Sequence, residues 1–335
     1  MFSSVRTVTS VAVAITLVGC AVVPNSQVMT REIAAAVQPV DVKVGLKQPE
    51  LYAQFEPSTA GAAAAAGCGA VPGLGILLAA ACGGALGAVD ATVNAERAKV
   101  AEETIRPLKD EIVDVKVDQL ITEATSKALK SVPGMQVASL ALTTQVENKA
   151  YEEVFQASTA NGVMFVNIDY HISKDFSTLE VTARGLLYPR STAARTAAGL
   201  PATAPTNEPL LAPKNAAYRA SVAYQLQLPL KGATPQAYVD AWKANGASLL
   251  RNGLATGSNE VARLIADELQ RVPSANAPAP AQVDVAPGIK GSLMAERDGG
   301  RVLRDADGSI HFVVTAPTAA TNTAAASTAS TAAAQ

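Results

Sequence analysis

Through the middle third of the chain, apolar and polar residues alternate one by one. In residues 163–173, VMFVNIDYHIS, Met164, Val166, Ile168, Tyr170 and Ile172 alternate with Asn167, Asp169 and His171. In LEVTARGLL, Leu179, Val181 and Ala183 alternate with Glu180, Thr182 and Arg184. A period of two sends successive side chains to opposite faces of a strand. The short connection Ser173–Ser177 makes the two runs a hairpin. A third run, YRASVAYQLQL, sets Tyr218, Ala220, Val222, Tyr224, Leu226 and Leu228 against Arg219, Ser221, Gln225 and Gln227. A weaker fourth candidate is Gln136 to Thr144, and the segments Val40–Val44 and Leu51–Phe55 also look extended. The prediction is an antiparallel sheet of about three to four strands with one polar face.

Helical periodicity frames these strands. Ile105, Leu108, Ile112 and Val115 step by three and four residues. Pro107 suits a first helical turn better than a middle one and predicts a break near Thr104. Ile121, Ala124, Ala128 and Leu129 form a second stripe, stopped by Pro133-Gly134. Thr234-Pro235 reads as a helix cap followed by proline at the first position, with Tyr238, Ala241, Trp242, Asn245 and Leu249 along one face. Ser258 reads as the start of a further helix carrying Val261, Leu264, Ile265 and Leu269. The fold class predicted is α+β, a sheet packed on helices, preceded by an Ala/Gly-rich helical hairpin.

Changes of composition divide the chain. The expected order is a signal segment 1–19, a tether 20–59, an Ala/Gly-rich hairpin 60–89 and an α+β domain 90–272 with a flexible insertion at 190–215. A stiff Pro/Ala linker 273–282 follows. A small β element 283–315 carries tight-turn signals at Asp298-Gly299-Gly300 and Asp307-Gly308. The last stretch, 316–335, has no charge and too little apolar bulk for a core, and is expected to be a disordered tail.

Of the 335 residues, 49% are hydrophobic but only 4% aromatic, and net charge is −2, so no basic footprint for nucleic acid exists. The N-terminus holds one arginine, Arg6, and then an uncharged run from Thr7 to Gly19. That is the shape of a secretory signal, and at about 13 residues it is too short to span a ~30 Å hydrocarbon core. Leu17-Val18-Gly19-Cys20 resembles the lipobox of bacterial lipoproteins. The resemblance implies cleavage before Cys20 and a diacylglyceryl thioether on its sulfur, usually with a third acyl chain on its amine. Two or more chains anchor a protein stably where one does not. In enteric-type lipoproteins an Asp after the cysteine tends to hold the protein at the inner membrane. Ala21 stands there, which implies the outer membrane, with the domain on the periplasmic side in an oxidising compartment.

Between Glu56 and Asp90 no residue is charged. Gly69 and Gly73, then Gly83 and Gly87, recur at the four-residue spacing that lets helix backbones approach. Pro72, Gly73 and Gly75 interrupt the stretch, leaving Ile76–Val89, about 21 Å as a helix and short of a span. One reading is a hairpin, 60–71 and 76–89, that enters a bilayer or packs on copies of itself. Cys68 and Cys82 would then face each other about the turn as a candidate disulfide. The other is a loose Ala/Gly linker. Glycine-zipper segments of this type are similar to those of uncharacterised bacterial envelope lipoproteins.

Chemistry is sparse. His171 beside Asp169 has no nucleophile placed near it and reads as a solvated strand histidine, as does His311 in its strand. Asp305-Ala306-Asp307-Gly308 is a fragment of a calcium loop without its distal Glu, and reads as a turn. No metal or cofactor site and no phosphate-binding glycine loop is expected. The polar sheet face, with Asn167, Glu180, Thr182, Arg184, Arg219 and Gln225, is either a recognition surface or plain solvated surface. The expected function is therefore that of a lipid-anchored cell-envelope protein, not an enzyme, with a structural, assembly or partner-binding role. Its expected partners are the membrane through Cys20, copies of itself through the Gly/Ala hairpin, and an unidentified envelope protein. The competing expectation is an oligomeric pore or translocation component built from those hairpins.

Overall fold

The computed structural model describes residues 25–48, 50–57, 85–203, 209–271, 282–286 and 289–317; for 85–91, 282–286 and 289–290 the backbone alone is described. Cys20, Cys68, Cys82, Gly69, Gly73 and Gly83 lie outside these residues, and so does all of the expected hairpin before residue 85. Gly87 falls within a long helix.

The strands are β1 (Val40–Leu46), β2 (Tyr52–Ala53), β3 (Val137–Thr143), β4 (Gly162–Ile172) and β5 (Thr178–Pro189). They continue as β6 (Tyr218–Gln227), β7 (Gln282–Ala286), β8 (Ile289–Arg297), β9 (Gly300–Arg304) and β10 (Ile310–Thr315). The helices are α1 (Arg31–Ala36), α2 (Ala85–Glu111), α3 (Val117–Lys130), α4 (Asn148–Ala157), α5 (Thr192–Ala197) and α6 (Pro235–Gln270).

Among the described residues, one mixed sheet of ten strands, in the order β3-β1-β4-β5-β6-β10-β9-β8-β7 with β2 beside β4, replaces the expected antiparallel sheet of three to four strands. The alternation located β4, β5, β6 and β3 correctly and made β4–β5–β6 antiparallel, as found. What it missed was parallel pairing. β1 lies between β3 and β4 and parallel to both, β2 continues that column along β4, and β10 joins β6 in parallel. A local pattern marks a strand but not a distant parallel mate, because the crossover between them is long.

The apolar face of β1, β4, β5 and β6 packs on α2, α3 and α6. Trp242 is buried in this core and donates its Nε1–H to the Phe176 carbonyl at 2.9 Å. A smaller cluster lies on the other face, where Tyr151 and Phe155 of α4 cover Val163, Phe165 and Tyr188. α6 lies close to the sheet through two glycines four residues apart. A Cβ at Gly253 would sit 2.7 Å from Leu179 Cδ2, and one at Gly257 2.6 Å from Val181 Cγ2.

Two helix boundaries differ from the prediction. α2 runs unbroken through Pro107, because Ala101, Ile105, Leu108 and Ile112 are held in the core on either side of it. That burial overrides a local cost of roughly 3 kcal/mol. The break in α6 falls at Ala244–Ala247, where Asn245, Gly246 and Ala247 have positive φ, and not at Ser258. Ser258 is buried mid-helix and its hydroxyl donates back to the Leu254 carbonyl at 2.8 Å.

The C-terminal strands are clamped to α6 by buried charge. Glu268 accepts from Arg304 at 2.5 Å and pairs with Arg271 at 3.1 Å, while Glu260 pairs with Arg297 at 3.1 Å. The β8–β9 turn has φ 50° at Asp298 and 74° at Gly299, both positive as a tight primed hairpin requires.

Candidate functional site

One residue from each of four strands forms a row across the polar face: Tyr52 of β2, His171 of β4, Glu180 of β5 and Gln225 of β6. The pleat puts Asp169 on the same face, two residues before His171. Tyr52 donates its hydroxyl to Asp169 Oδ2 at 2.5 Å, and His171 Nδ1 lies 3.2 Å from the same oxygen. His171 Nε2 is 3.3 Å from Glu180 Oε2 without hydrogen-bond alignment, so this contact is an ion pair. Gln225 Nε2 donates to Glu180 Oε1 at 3.3 Å, and its Oε1 is buried without a partner.

His171 is 3% exposed, which corrects its reading as a solvated strand histidine. Burial disfavours the imidazolium, but the contacts with Asp169 and Glu180 outweigh it and raise its pKa to about 9. Burial, then the Asp169 charge, pushes the Tyr52 phenol well above the ordinary tyrosine range. At neutral pH this is an imidazolium flanked by two carboxylates and a neutral phenol. It has no free lone pair with which to accept a proton, whereas a general base is most effective with a pKa near the working pH. The row therefore acts as an electrostatic clasp joining β2, β4 and β5.

The structure sorts the other sequence candidates. Asn167 accepts from the Tyr151 hydroxyl beneath α4, and Arg219 is buried and donates to the Pro213 carbonyl at 2.8 Å. Both are engaged in packing on this face. Thr182 and Arg184 are half-buried, Arg184 in register between Asn167 and Ser221. Tyr52 was missed as a site residue: Leu51–Phe55 reads as extended, but nothing local shows that it lands beside His171.

Asp305 and Asp307 serve the β9–β10 turn. Asp305 Oδ1 accepts the amides of Asp307 and Ser309, and Asp307 Oδ2 accepts from Asn25 Nδ2 at 2.7 Å. His311 Nε2 lies 3.2 Å from Asp305 Oδ2. Among the described residues, no group of three His, Cys, Asp or Glu side chains is arranged to hold a metal ion.

A cleft of about 670 Å³ lies between α2 and the β4–β5 turn, lined by Phe55, Arg97, Val100, Thr104, Lys174 and Phe176. Lys174 pairs with Glu56 on its rim at 3.2 Å, and Arg97 donates to the Glu56 carbonyl at 2.7 Å. The row and the cleft share no residue.

Near the N-terminus, Gln27 exchanges both backbone hydrogen bonds with Arg219, and the Asn25 amide donates to the Asp307 carbonyl. The chain is thus tied to the β9–β10 turn five residues after Cys20 and to β6 seven residues after it. No protein-family model matches the chain, and a search of curated proteins finds no match.

Proposed function

We propose that this chain is a lipid-anchored protein of the bacterial cell envelope, held at the outer membrane through acylated Cys20, with a non-enzymatic partner-binding or assembly role. The observation that carries this is the juxtaposition of LVGC at 17–20 with Asn25–Gln27, which are already bonded to the β9–β10 turn and to β6. Five residues of extended chain reach at most about 17 Å, so an acyl group at Cys20 would hold the domain close to the bilayer surface. The protonated His171 supports the non-enzymatic part, since the sole histidine flanked by two acids on the polar face is unsuited to proton abstraction at neutral pH. Among the described residues no helix is long and apolar enough to cross a membrane.

The test is metabolic labelling with radioactive palmitate followed by separation of the two membranes. The reading expects label on the wild-type protein, its recovery with the outer membrane, and loss of label in Cys20→Ser. Unlabelled wild-type protein in the soluble fraction would contradict it. Deleting 60–89 from the Cys20→Ala protein addresses the pore alternative. If Cys20→Ala stays membrane-bound and the deletion releases it, the Gly/Ala segment has membrane affinity of its own.

A further inference from the structure

We propose that Asn167, Arg184 and Ser221 form a binding site for a single carboxylate group. The three are in register on adjacent strands, Asn167 of β4 opposite Arg184 of β5 and Arg184 opposite Ser221 of β6. They lie on the same face as His171, four residues before it on β4. Cross-strand neighbours hold their Cβ atoms about 5 Å apart, so the ends of these side chains can converge on one small group. All three are half-buried. Among the described residues Arg184 has neither a hydrogen bond nor an ion pair, and the Ser221 hydroxyl has no hydrogen-bond partner. Asn167 accepts from the Tyr151 hydroxyl through its Oδ1, which leaves its Nδ2 donors unused.

Donors drawn partly out of water are normally taken up by an acceptor within the protein. Arg219, diagonal to Arg184 on β6, follows that rule and donates to the Pro213 carbonyl. For Arg184 the nearest carboxylates along β4 and β5 are already committed. Asp169 holds Tyr52 and His171, and Glu180 holds Gln225 and His171. The three side chains therefore present donors and one positive charge, with no acid among them. An ionised carboxylate has about four lone-pair sites. The Arg184 fork supplies two parallel donors in the bidentate geometry that suits a planar carboxylate, and Asn167 and Ser221 supply one each. A phosphate dianion would bring more acceptor atoms and more charge than these groups answer. The carboxylate can come from a small dissolved acid or from an aspartate or glutamate side chain of a partner. Either way the site goes beyond the lipid-anchor reading and does not depend on it.

Phenylglyoxal, which modifies arginines, probes the site in the purified full-length protein, with the extent of reaction read for each arginine from peptide masses. Saturating acetate should slow modification of Arg184 by roughly fivefold or more relative to chloride at the same ionic strength, and leave exposed Arg31 unchanged. Ser221→Ala removes one charge-assisted hydrogen bond and should raise the acetate concentration for half-protection about tenfold, with circular dichroism checking that the variant is folded. Protection by acetate identifies a small dissolved acid as sufficient. Protection by penta-glutamate but not by acetate identifies the source as an acidic side chain of a partner. The proposal is overturned if neither protects Arg184, or if inorganic phosphate protects at a lower concentration than both. It is also overturned if folded Ser221→Ala is protected like the wild type, or if Arg184 resists the reagent with no acid added, since the site would then be closed. Palmitate labelling reads the anchor separately, so failure of one reading leaves the other standing.

Discussion

At the scale of single residues, His171 is the group whose chemistry departs furthest from its sequence reading. Alternation placed Asp169, His171 and Glu180 on one face correctly, but the closure of that face by Tyr52 depends on a parallel contact across more than a hundred residues. Because the folded pKa, about 9, exceeds the ordinary value of about 6.5, the stabilisation is complete below pH 6.5. It is lost as pH rises through about 9. Its size is of order 3 kcal/mol. The midpoint of thermal unfolding should therefore fall by several degrees between pH 6 and pH 10, and His171→Gln should largely flatten that dependence. An unchanged slope in the variant would remove His171 as its cause. Glu268 makes a second residue-level prediction. Its carboxylate is almost completely buried between Arg271 and Arg304, and Glu268→Ala leaves both guanidinium groups without their partner. The expected cost is about 3–5 kcal/mol in denaturant unfolding. The corresponding change at exposed Glu123 should cost no more than about 0.5 kcal/mol.

At the scale of elements, periodicity was informative wherever the partner is near in sequence. The β4–β5 hairpin, β6, β3 and the start of α6 at Thr234-Pro235 were all legible, with Thr234 accepting the Ala237 amide as its cap. The end of the first half of α6 was not, because Asn245-Gly246 signals a turn only once Ala244 and Ala247 are seen to leave the helix with them. Arg251 secures that corner, donating to Gly246 O at 3.1 Å and to both carboxylate oxygens of Asp114. Small-residue spacing drew attention to residues 69–87, yet the close approach visible in the described residues is that of Gly253 and Gly257 to β5 and β6. Gly257→Ala should destabilise the protein by about 1–3 kcal/mol, since Val181 and Tyr224 leave no room for a methyl group. Gly134 has φ 78° with nothing within 4 Å of a Cβ. Gly134→Ala should cost only about 1 kcal/mol, from backbone strain alone. Urea midpoints of the two variants separate crowding from conformation.

At the scale of the molecule, the unanticipated feature is how far one sheet extends. Val40–Val44 had the look of a strand, but its place at the centre of a parallel trio depends on α2, α3 and the turns between them. The C-terminal strands likewise become part of the sheet through β10 beside β6 and through arginines reaching Glu260 and Glu268, none of which has a local signature. The resulting body is tied at Asn25–Gln27 to the segment that follows Cys20. The most direct test of the lipid-anchor claim is the mass of the N-terminal tryptic peptide of protein purified from cell envelopes. Cleavage after Arg31 should yield Cys20–Arg31 as the mature terminus, heavier than its residues by a diacylglyceryl group and carrying a further acyl chain on its amine. An unmodified Cys20, or a peptide that continues upstream through Gly19, would contradict the account.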